Sequence, residues 1–421
     1  MFSEQEIDKL IQPVVDRQAE VNNSIIKIIA ERIKRIGELL PSDIFKLEVV
    51  AKTGADVKRI NSEIARIVGV QVKQIKKIIR AVANDAYQDA KPFYDYRQKT
   101  FIPFEENEPI QRVVKAIEKQ TSGTYENMAK AQAFMVSDPM NPTVLKPTTT
   151  ARTYQNTVDK AIQTVQSGLD YQSTMRNTLQ EIIDSGLKEV VYETDSGKIY
   201  TQRMDTALRR NLLDGVRAIN QGVQDEVGKQ FGADGYEISV HACPAPDHCL
   251  VQGHQFTKEE YAKMAPVQAT LPDGSIDRSL YENAESAVDI NGNAYPPIRR
   301  KIGTLNCRHF AFAIIIGQAP QNYTDEQLQD ILDKNDEGYT DKNGKHYTMY
   351  ECTQMQRKFE TKIRRAKDGQ IAAKEAGDIE LAKKYQKKVT RYLQEYNSFS
   401  NGCGLKIKPE KIRVAGYKKL T

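Results

Sequence analysis

Residues 204–240 read MDTALRRNLLDGVRAINQGVQDEVGKQFGADGYEISV, and the hydrophobic period changes within this stretch. From Met204 to Phe231, apolar residues recur every three or four positions, which predicts a long amphipathic helix ending at Gly232. In residues 236–240 they alternate instead, as in a half-buried strand. The stretch therefore predicts the junction between a helical part of the chain and an α+β part.

Stripes of apolar residues at helical spacing fill the first third of the chain. They are Ile7–Val14, preceded by a capping box of Ser3 and Glu6, Ile25–Leu40, ending at Pro41, Val57–Ile67 and, after Gly69, Val72–Val82. Four helices are therefore expected. A bundle that buries their apolar faces against one another is favoured over docking on a second protein.

Turn-forming residues mark the segments between the later helices. Residues 137–153 (SDPMNPTVLKPTTTART) hold three prolines and five threonines, which predicts a linker or an extended arm. Residues 190–201 predict one β-hairpin, and Asn343-Gly344 marks a second. The apolar run Phe310–Ile316 predicts a fully buried strand.

The fold class predicted from these patterns is α+β, with a mostly helical N-terminal half. A small module with short strands and hairpins follows, and a basic helical segment, broken at Asp368-Gly369, ends the chain. The predicted regions are a helical N-terminal region (1–136), a Pro/Thr-rich linker or arm (137–153), an α+β module (154–350) and a basic helical segment (351–421).

Composition and charge exclude several classes of protein. The 421 residues carry a net charge of +5, and no apolar run approaches the roughly 18 residues that a membrane-spanning helix needs. The N-terminus lacks the pattern of a signal peptide, so a cytosol, or a particle assembled there, is expected. Residues 351–421 hold 18 Lys and Arg against 8 Asp and Glu, which indicates a polyanion or an acidic protein surface as partner.

Histidines and cysteines concentrate in two short segments. Residues 241–254 (HACPAPDHCLVQGH) and residues 306–309 (NCRH) together contain four of the five histidines and three of the five cysteines. Cys307 and His309 are two positions apart, so on a strand they face the same side. If the strand that ends near His241 pairs with the strand that follows His309, imidazoles and a thiol converge.

Two interpretations of this cluster remain open. One is a zinc site, to which Asp247, Asp273, Asp277 or Asp289 could also contribute; the spacing fits no standard motif. The other is a buried polar cluster whose histidines bond to the backbone. No nucleophile elbow, phosphate-binding loop or metalloprotease helix is present, so no catalytic residue is assigned. A metal-dependent hydrolase or nuclease is kept as the alternative function.

The basic end of the chain also has two interpretations. Lys383, Lys384, Lys387, Lys388 and Arg391 crowd one helix with interleaved tyrosines, which suits contact with DNA phosphates or an acidic partner. In the other interpretation, Leu381, Tyr385, Val389, Tyr392 and Tyr396 pack on the body of the protein, and the lysines only stay in water.

Several segments together resemble a family of phage proteins. They are residues 202–222 (QRMDTALRRNLLDGVRAINQG), 239–256 (SVHACPAPDHCLVQGHQF), 305–320 (LNCRHFAFAIIIGQAP) and 343–365 (NGKHYTMYECTQMQRKFETKIRR). They are similar to the minor capsid proteins of tailed phages, of the minor capsid protein 2 type, related to Mu F-like head-morphogenesis proteins. The matching motif residues are His241, Pro246, His248, Gln252, Gly253, Asn306, Cys307, Arg308 and His309.

The sequence departs from that family's pattern at two positions. Ala245 stands where the family usually has Arg, and Val251 where it usually has Trp. Cys243 and Cys249 then look incidental, and His241, His248, Cys307 and His309 become the preferred metal cluster.

The resemblance implies a structural function rather than catalysis. Such proteins are low-copy head components bound to the portal vertex inside the capsid, and they assist head assembly and DNA packaging or ejection. The expected partners are the portal protein, the major capsid or scaffolding protein and genomic double-stranded DNA, with no membrane during assembly. Zinc is the one cofactor that the motif residues suggest.

Overall fold

The structure, a computed structural model, describes residues 4–38, 47–138, 140–193, 199–264, 285–298, 302–303, 307 and 309–420. The helices are α1 (Glu4–Gly37), α2 (Leu47–Gln88), α3 (Lys91–Tyr96), α4 (Glu108–Lys130), α5 (Thr150–Gln166), α6 (Tyr171–Ser185), α7 (Met204–Phe231), α8 (Lys258–Met264), α9 (Asp325–Glu337), α10 (Met349–Glu375) and α11 (Ile379–Gly402). The strands are β1 (Gln132–Asp138), β2 (Asn141–Thr149), β3 (Lys188–Glu193), β4 (Ile199–Arg203), β5 (Gly235–Ile238), β6 (Gln255–Thr257), β7 (Ala287–Val288), β8 (Ala294–Tyr295), β9 (Ala311–Ile314), β10 (Tyr339–Thr340) and β11 (His346–Tyr347). The predicted α+β class with a helical N-terminal half is confirmed.

A large apolar core joins the N-terminal helices to α5, α6, α7 and part of the last two helices. Ile25 of α1 and Ile79 of α2 are fully buried in it, beside Val158 of α5. Ala372 of α10 and Tyr385 of α11 belong to the same core. The packing is therefore continuous across residues 137–153 and across residue 351.

The four N-terminal stripes lie on two long helices. The predicted break at Gly69 is wrong, because α2 continues through this exposed position. A glycine inside a helix costs only about 1 kcal/mol, which the apolar residues on both sides offset by packing. Pro41 and Ser3 lie outside the described residues.

The Pro/Thr-rich stretch, predicted as a linker or an extended arm, forms the edge strand β2 (Asn141–Thr149) and the beginning of α5. β1 and β2 pair antiparallel, with Met135 opposite Pro147, in a sheet of order β2-β1-β3-β4. Proline is tolerated at a sheet edge because its missing N–H faces away from the ladder. Thr149 then caps α5 by accepting a hydrogen bond from the backbone N of Arg152. Low sequence periodicity hid this hairpin, whose outer strand is exposed along most of its length.

Both predicted hairpins form. β3 pairs with β4, with the turn at residues 194–198 outside the described residues, and β10 pairs with β11 around Asn343-Gly344. The fully buried strand, in contrast, is wrong in its burial. β9 buries Ala311, but Phe312 is 36% exposed, and Ala313 and Ile314 are only partly buried.

A second, smaller core lies around the sheet of order β6-β5-β9. Ile238, Phe256 and Ala311 are buried in it together with Met264 of α8. The sheet is attached to the helical core through α7. The side-chain amide of Gln221 donates to the carbonyl of Ala311 at 2.8 Å and accepts from its N–H at 3.2 Å, as a neighbouring strand would.

The helix break predicted at Asp368-Gly369 is also wrong. α10 runs through both residues, and the chain turns instead at Gly377, where φ is +77°. Gly369 is needed for packing, because a Cβ there would lie 2.6 Å from the ring of Tyr385 on α11. The glycine marks a close approach of two helices and not a helix end.

The end of the chain lies along α10 as a strap, residues 406–418. Its backbone carbonyls accept hydrogen bonds from Gln356, Arg364, Lys367 and Gln370, at 2.6–3.1 Å. Burial lowers the pKa of both Arg364 and Lys367. These two cations of the basic segment therefore bind backbone carbonyls of the protein itself.

Arg203 is buried between two carboxylates. Its guanidinium lies 3.2 Å from Asp205 Oδ1 and 3.2 Å from Asp368 Oδ2. Burial would raise the pKa of Asp205, but the charges of Arg203 and Arg364 outweigh it and hold that pKa below its usual value. Burial raises the pKa of Asp368 to about 7, against the opposing charge of Arg203 and with the support of Asp205.

Replacing Gly369 with alanine tests the close approach of α10 and α11. We expect Gly369→Ala to lower the free energy of unfolding by about 1–3 kcal/mol, because the new methyl group meets the ring of Tyr385. Gly69→Ala is the matched control, since a Cβ there meets nothing within 4 Å and should raise stability by up to about 1 kcal/mol. Urea unfolding of both variants checks this, and a Gly369→Ala protein as stable as the wild type would contradict it.

The pKa of Asp368 predicts how stability depends on pH. An unfolded aspartate titrates near ~4, so between about pH 4 and 7 the folded state holds an extra proton. Stability then falls as pH rises through this window. We expect the free energy of unfolding of Asp368→Asn, taken relative to that of the wild type, to be roughly 1–3 kcal/mol higher at pH 8 than at pH 5. Urea unfolding at both pH values measures this difference. Asp330→Asn, on the exposed face of α9, should show no such gain; equal curves for the wild type and Asp368→Asn refute the assignment.

Candidate functional site

The two segments rich in histidine and cysteine meet at one end of the strands of the small sheet. β5 and β9 are antiparallel, with Ile238 opposite Ala311. The residues that follow β5 and those that precede β9 therefore lie at the same end of these two strands. This is the strand pairing on which the predicted convergence depended.

Three of the four predicted ligands come together. One potential ligand atom each from His248, Cys307 and His309 lies within 4.8 Å of the others. Cys307 Sγ is 3.2 Å from His248 Nδ1 and 3.5 Å from His309 Nδ1. The side chains are almost fully buried, with exposed fractions of 0%, 4% and 3%. They form a compact, closed group of donors.

The fourth predicted ligand, His241, lies beside this group. Its ring contacts the ring of His309 edge-on, with 4.6 Å between the centroids. Its ring nitrogens do not belong to the group of three. The structure thus brings His241 to the cluster without placing it among the converging atoms.

The side chain of Gln252 contacts two of the predicted ligands, His309 and His241. Its Oε1 atom lies 3.2 Å from His309 Nε2 and accepts a hydrogen bond from the backbone N of His241 at 3.0 Å. On the other side, Asp247 Oδ2 is 3.7 Å from His248 Nε2. Both histidines therefore turn one nitrogen to Cys307 and the other to an oxygen.

The remaining motif residues have structural functions where the structure describes them. The carbonyl of Pro246 lies 3.2 Å from Cys249 Sγ. Gly253 has φ of +78°, and a Cβ there would lie 2.5 Å from Leu328. Asn306 and Arg308 lie outside the described residues.

His248 decides the acidity of the Cys307 thiol. Burial by itself raises the pKa of Cys307, but the hydrogen bond and the charge interaction with His248 outweigh it, so the pKa lies below its usual value. Cys249, in contrast, has a pKa raised by burial. Of these two thiols, Cys307 has the more thiolate character, which is what metal coordination requires.

The aspartates considered as additional zinc ligands do not all lie near the cluster. Asp289 accepts hydrogen bonds from the backbone of its own turn, at Asn291 and Asn293, and lies 3.5 Å from His254 Nδ1. Burial lowers the pKa of His254 against the charge of Asp289. Asp273 and Asp277 lie outside the described residues, and of the two described candidates Asp247 is the one that lies near the cluster.

Comparison with known proteins assigns the family. A model of the family described as phage minor capsid protein 2 matches residues 2–401. The chain belongs to the phage minor capsid protein 2 family. No curated protein and no solved structure matches it.

This phage minor capsid protein is therefore a component of the virion, as the sequence resemblance implied. Within the described residues, no helix combines the length and the apolarity needed to cross a bilayer. The match covers both the helical core and the small module that carries the cluster.

The basic residues of this minor capsid protein divide between two faces of α11. Lys384 donates to Gln180 of α6 at 3.0 Å, and Lys388 lies 3.7 Å from Asp184 of the same helix. Lys383, Lys387 and Arg391 follow one another at four-residue spacing on the exposed face. Leu381, Tyr385, Val389 and Tyr396 are buried, as the packing interpretation predicted, and Tyr392 is partly buried.

Sequence reasoning missed the function of Gln252 and the division of the lysines. Gln252 lies in an irregular loop without periodicity, and only the family resemblance drew attention to it. The two faces of α11 could have been recognised in the sequence, because helical spacing separates residues 383, 387 and 391 from 384 and 388.

Proposed function

We propose that this phage minor capsid protein is a low-copy virion component that docks on the portal vertex inside the capsid. There it assists head assembly and DNA packaging or ejection, after assembly in the bacterial cytoplasm. The family match over residues 2–401 carries the proposal. The same match favours a structural function over the alternative, a metal-dependent hydrolase or nuclease.

The β1–β2 hairpin is the surface that we assign to the portal protein. β2 is an edge strand, with a row of backbone groups available for pairing. The hairpin exposes apolar residues: Met140, which precedes β2, is 92% exposed, and Leu145 of β2 is 53% exposed. Exposed apolar side chains on an unpaired edge are costly in isolation and typical of a surface that a partner covers.

Charged substitutions in the hairpin test this assignment. We expect Met140→Asp combined with Leu145→Asp to reduce the copies per particle at least tenfold, because the portal contact would have to bury two carboxylates. Mass spectrometry with copy counting on purified particles measures the effect.

Leu169→Asp, at an exposed leucine between α5 and α6, is the control and should leave the copy number unchanged. Wild-type copy number in the hairpin variant would reject the hairpin as the contact. Particles that lack the wild-type protein would reject the proposed function itself.

The exposed face of α11 is the surface that we assign to packaged double-stranded DNA. Lys383 and Arg391 form ion pairs within α11, with Glu380 and Glu395, and all four side chains are exposed. Such exposed pairs contribute little and open readily. Cations at four-residue spacing can then contact phosphates along the backbone of DNA.

Neutralising the two faces of α11 separately tests the DNA contact. We expect Lys383→Gln, Lys387→Gln and Arg391→Gln together to weaken DNA binding and to reduce the slope of log affinity against log salt by about 2–3. Lys384→Gln with Lys388→Gln is the control, because these lysines contact α6. Fluorescence anisotropy over a salt series measures the slope, and an unchanged slope in the triple variant would exclude this face.

A further inference from the structure

We infer that His248, Cys307 and His309, joined by His241, bind a zinc ion that locks the small module. The inference is independent of portal docking, because it concerns only how the loops beside β5 and β9 are held.

The spacing of the donors fits tetrahedral zinc. With a Zn–S distance of about 2.3 Å and Zn–N distances of about 2.0–2.1 Å, a sulfur and a nitrogen ligand lie about 3.5 Å apart. The two separations from Cys307 Sγ to the histidine Nδ1 atoms are 3.2 and 3.5 Å. Both separations lie within a few tenths of an ångström of that value.

The groups behind the ligands are those that metal-bound histidines require. A coordinating imidazole normally directs its second nitrogen to a carboxylate or carbonyl oxygen, which fixes the ring and raises its basicity. His309 Nε2 faces Gln252 Oε1 at 3.2 Å, and His248 Nε2 faces Asp247 Oδ2 at 3.7 Å. In both rings this arrangement leaves Nδ1 as the nitrogen that faces the thiol.

Burial favours a structural site over a catalytic one. Catalytic zinc keeps an open position for water or substrate, whereas structural zinc is enclosed by four protein ligands. His248, Cys307 and His309 are almost completely buried. His241 is the neighbouring donor, since its ring contacts that of His309 and its backbone is held by Gln252.

A bound ion would supply stability that the small core lacks. The second apolar cluster is small, and the loop between β5 and β6 has no regular secondary structure from Ser239 to His254. A metal bound only by the folded state stabilises it in proportion to the logarithm of its concentration over the dissociation constant. The ion would thus join the two loops that flank the four residue pairs between β5 and β9.

Metal analysis of the full-length protein tests the inference. We expect one zinc per chain after gel filtration, and a cobalt-substituted protein with a thiolate charge-transfer band and the intense visible absorption of tetrahedral coordination. Cys307→Ser should abolish the charge-transfer band and weaken metal binding at least 10-fold, and Gln252→Leu should weaken it about 10–100-fold. Cys249→Ser is the matched control, one residue from His248, and should keep both the band and the stoichiometry.

Two results would overturn the inference. One is wild-type protein that takes up no zinc or cobalt, and the other is metal binding that Cys307→Ser leaves unchanged. Should Cys307→Ser fail to fold, the charge-transfer band of the wild-type protein decides, because Cys249→Ser must retain it. His241→Ala should weaken binding without removing the band, and wild-type affinity in that variant would overturn His241 as the fourth ligand.

Discussion

The pairing of β5 with β9 is the constraint on which the small module depends. The two strands lie more than 70 residues apart in sequence, and Ile238 opposite Ala311 fixes which loop residues face each other. A shift by one residue would turn every side chain of β9 to the other face of the sheet. Gln221 of α7 prevents such a shift, because its amide pairs with both backbone groups of Ala311. The helical core therefore sets the register that assembles the cluster.

The helices were predictable from the sequence, and their interruptions were not. Apolar spacing identified the buried faces of α1, α2, α7 and α11, because a residue's face on a helix depends only on local spacing. Gly69 and Gly369 were both taken as helix ends. One is an exposed glycine in a continuous helix, and the other makes room for Tyr385. The difference depends on a neighbour that local sequence does not reveal.

The candidate site was predictable in composition and only partly in geometry. Two short segments with most of the histidines and a strand on each side sufficed to predict that His248, Cys307 and His309 meet. The position of His241 beside them depends on how the loop after β5 turns, which no periodicity specifies. The β1–β2 hairpin was missed for a related reason, since prolines argue against a central strand but are compatible with an edge.

The strap along α10 changes what the basic end of the chain presents to its surroundings. Residues 351–421 carry 18 cationic side chains, yet Arg364 and Lys367 point inward to strap carbonyls, and Lys384 and Lys388 face α6. The electrostatic potential around the molecule is accordingly weaker and more localised than the formal charge of the segment suggests. One copy offers a patch of a few cations along a single helix. Several copies held in a fixed ring would offer many such patches at once, so that avidity would set how firmly a polyanion is retained.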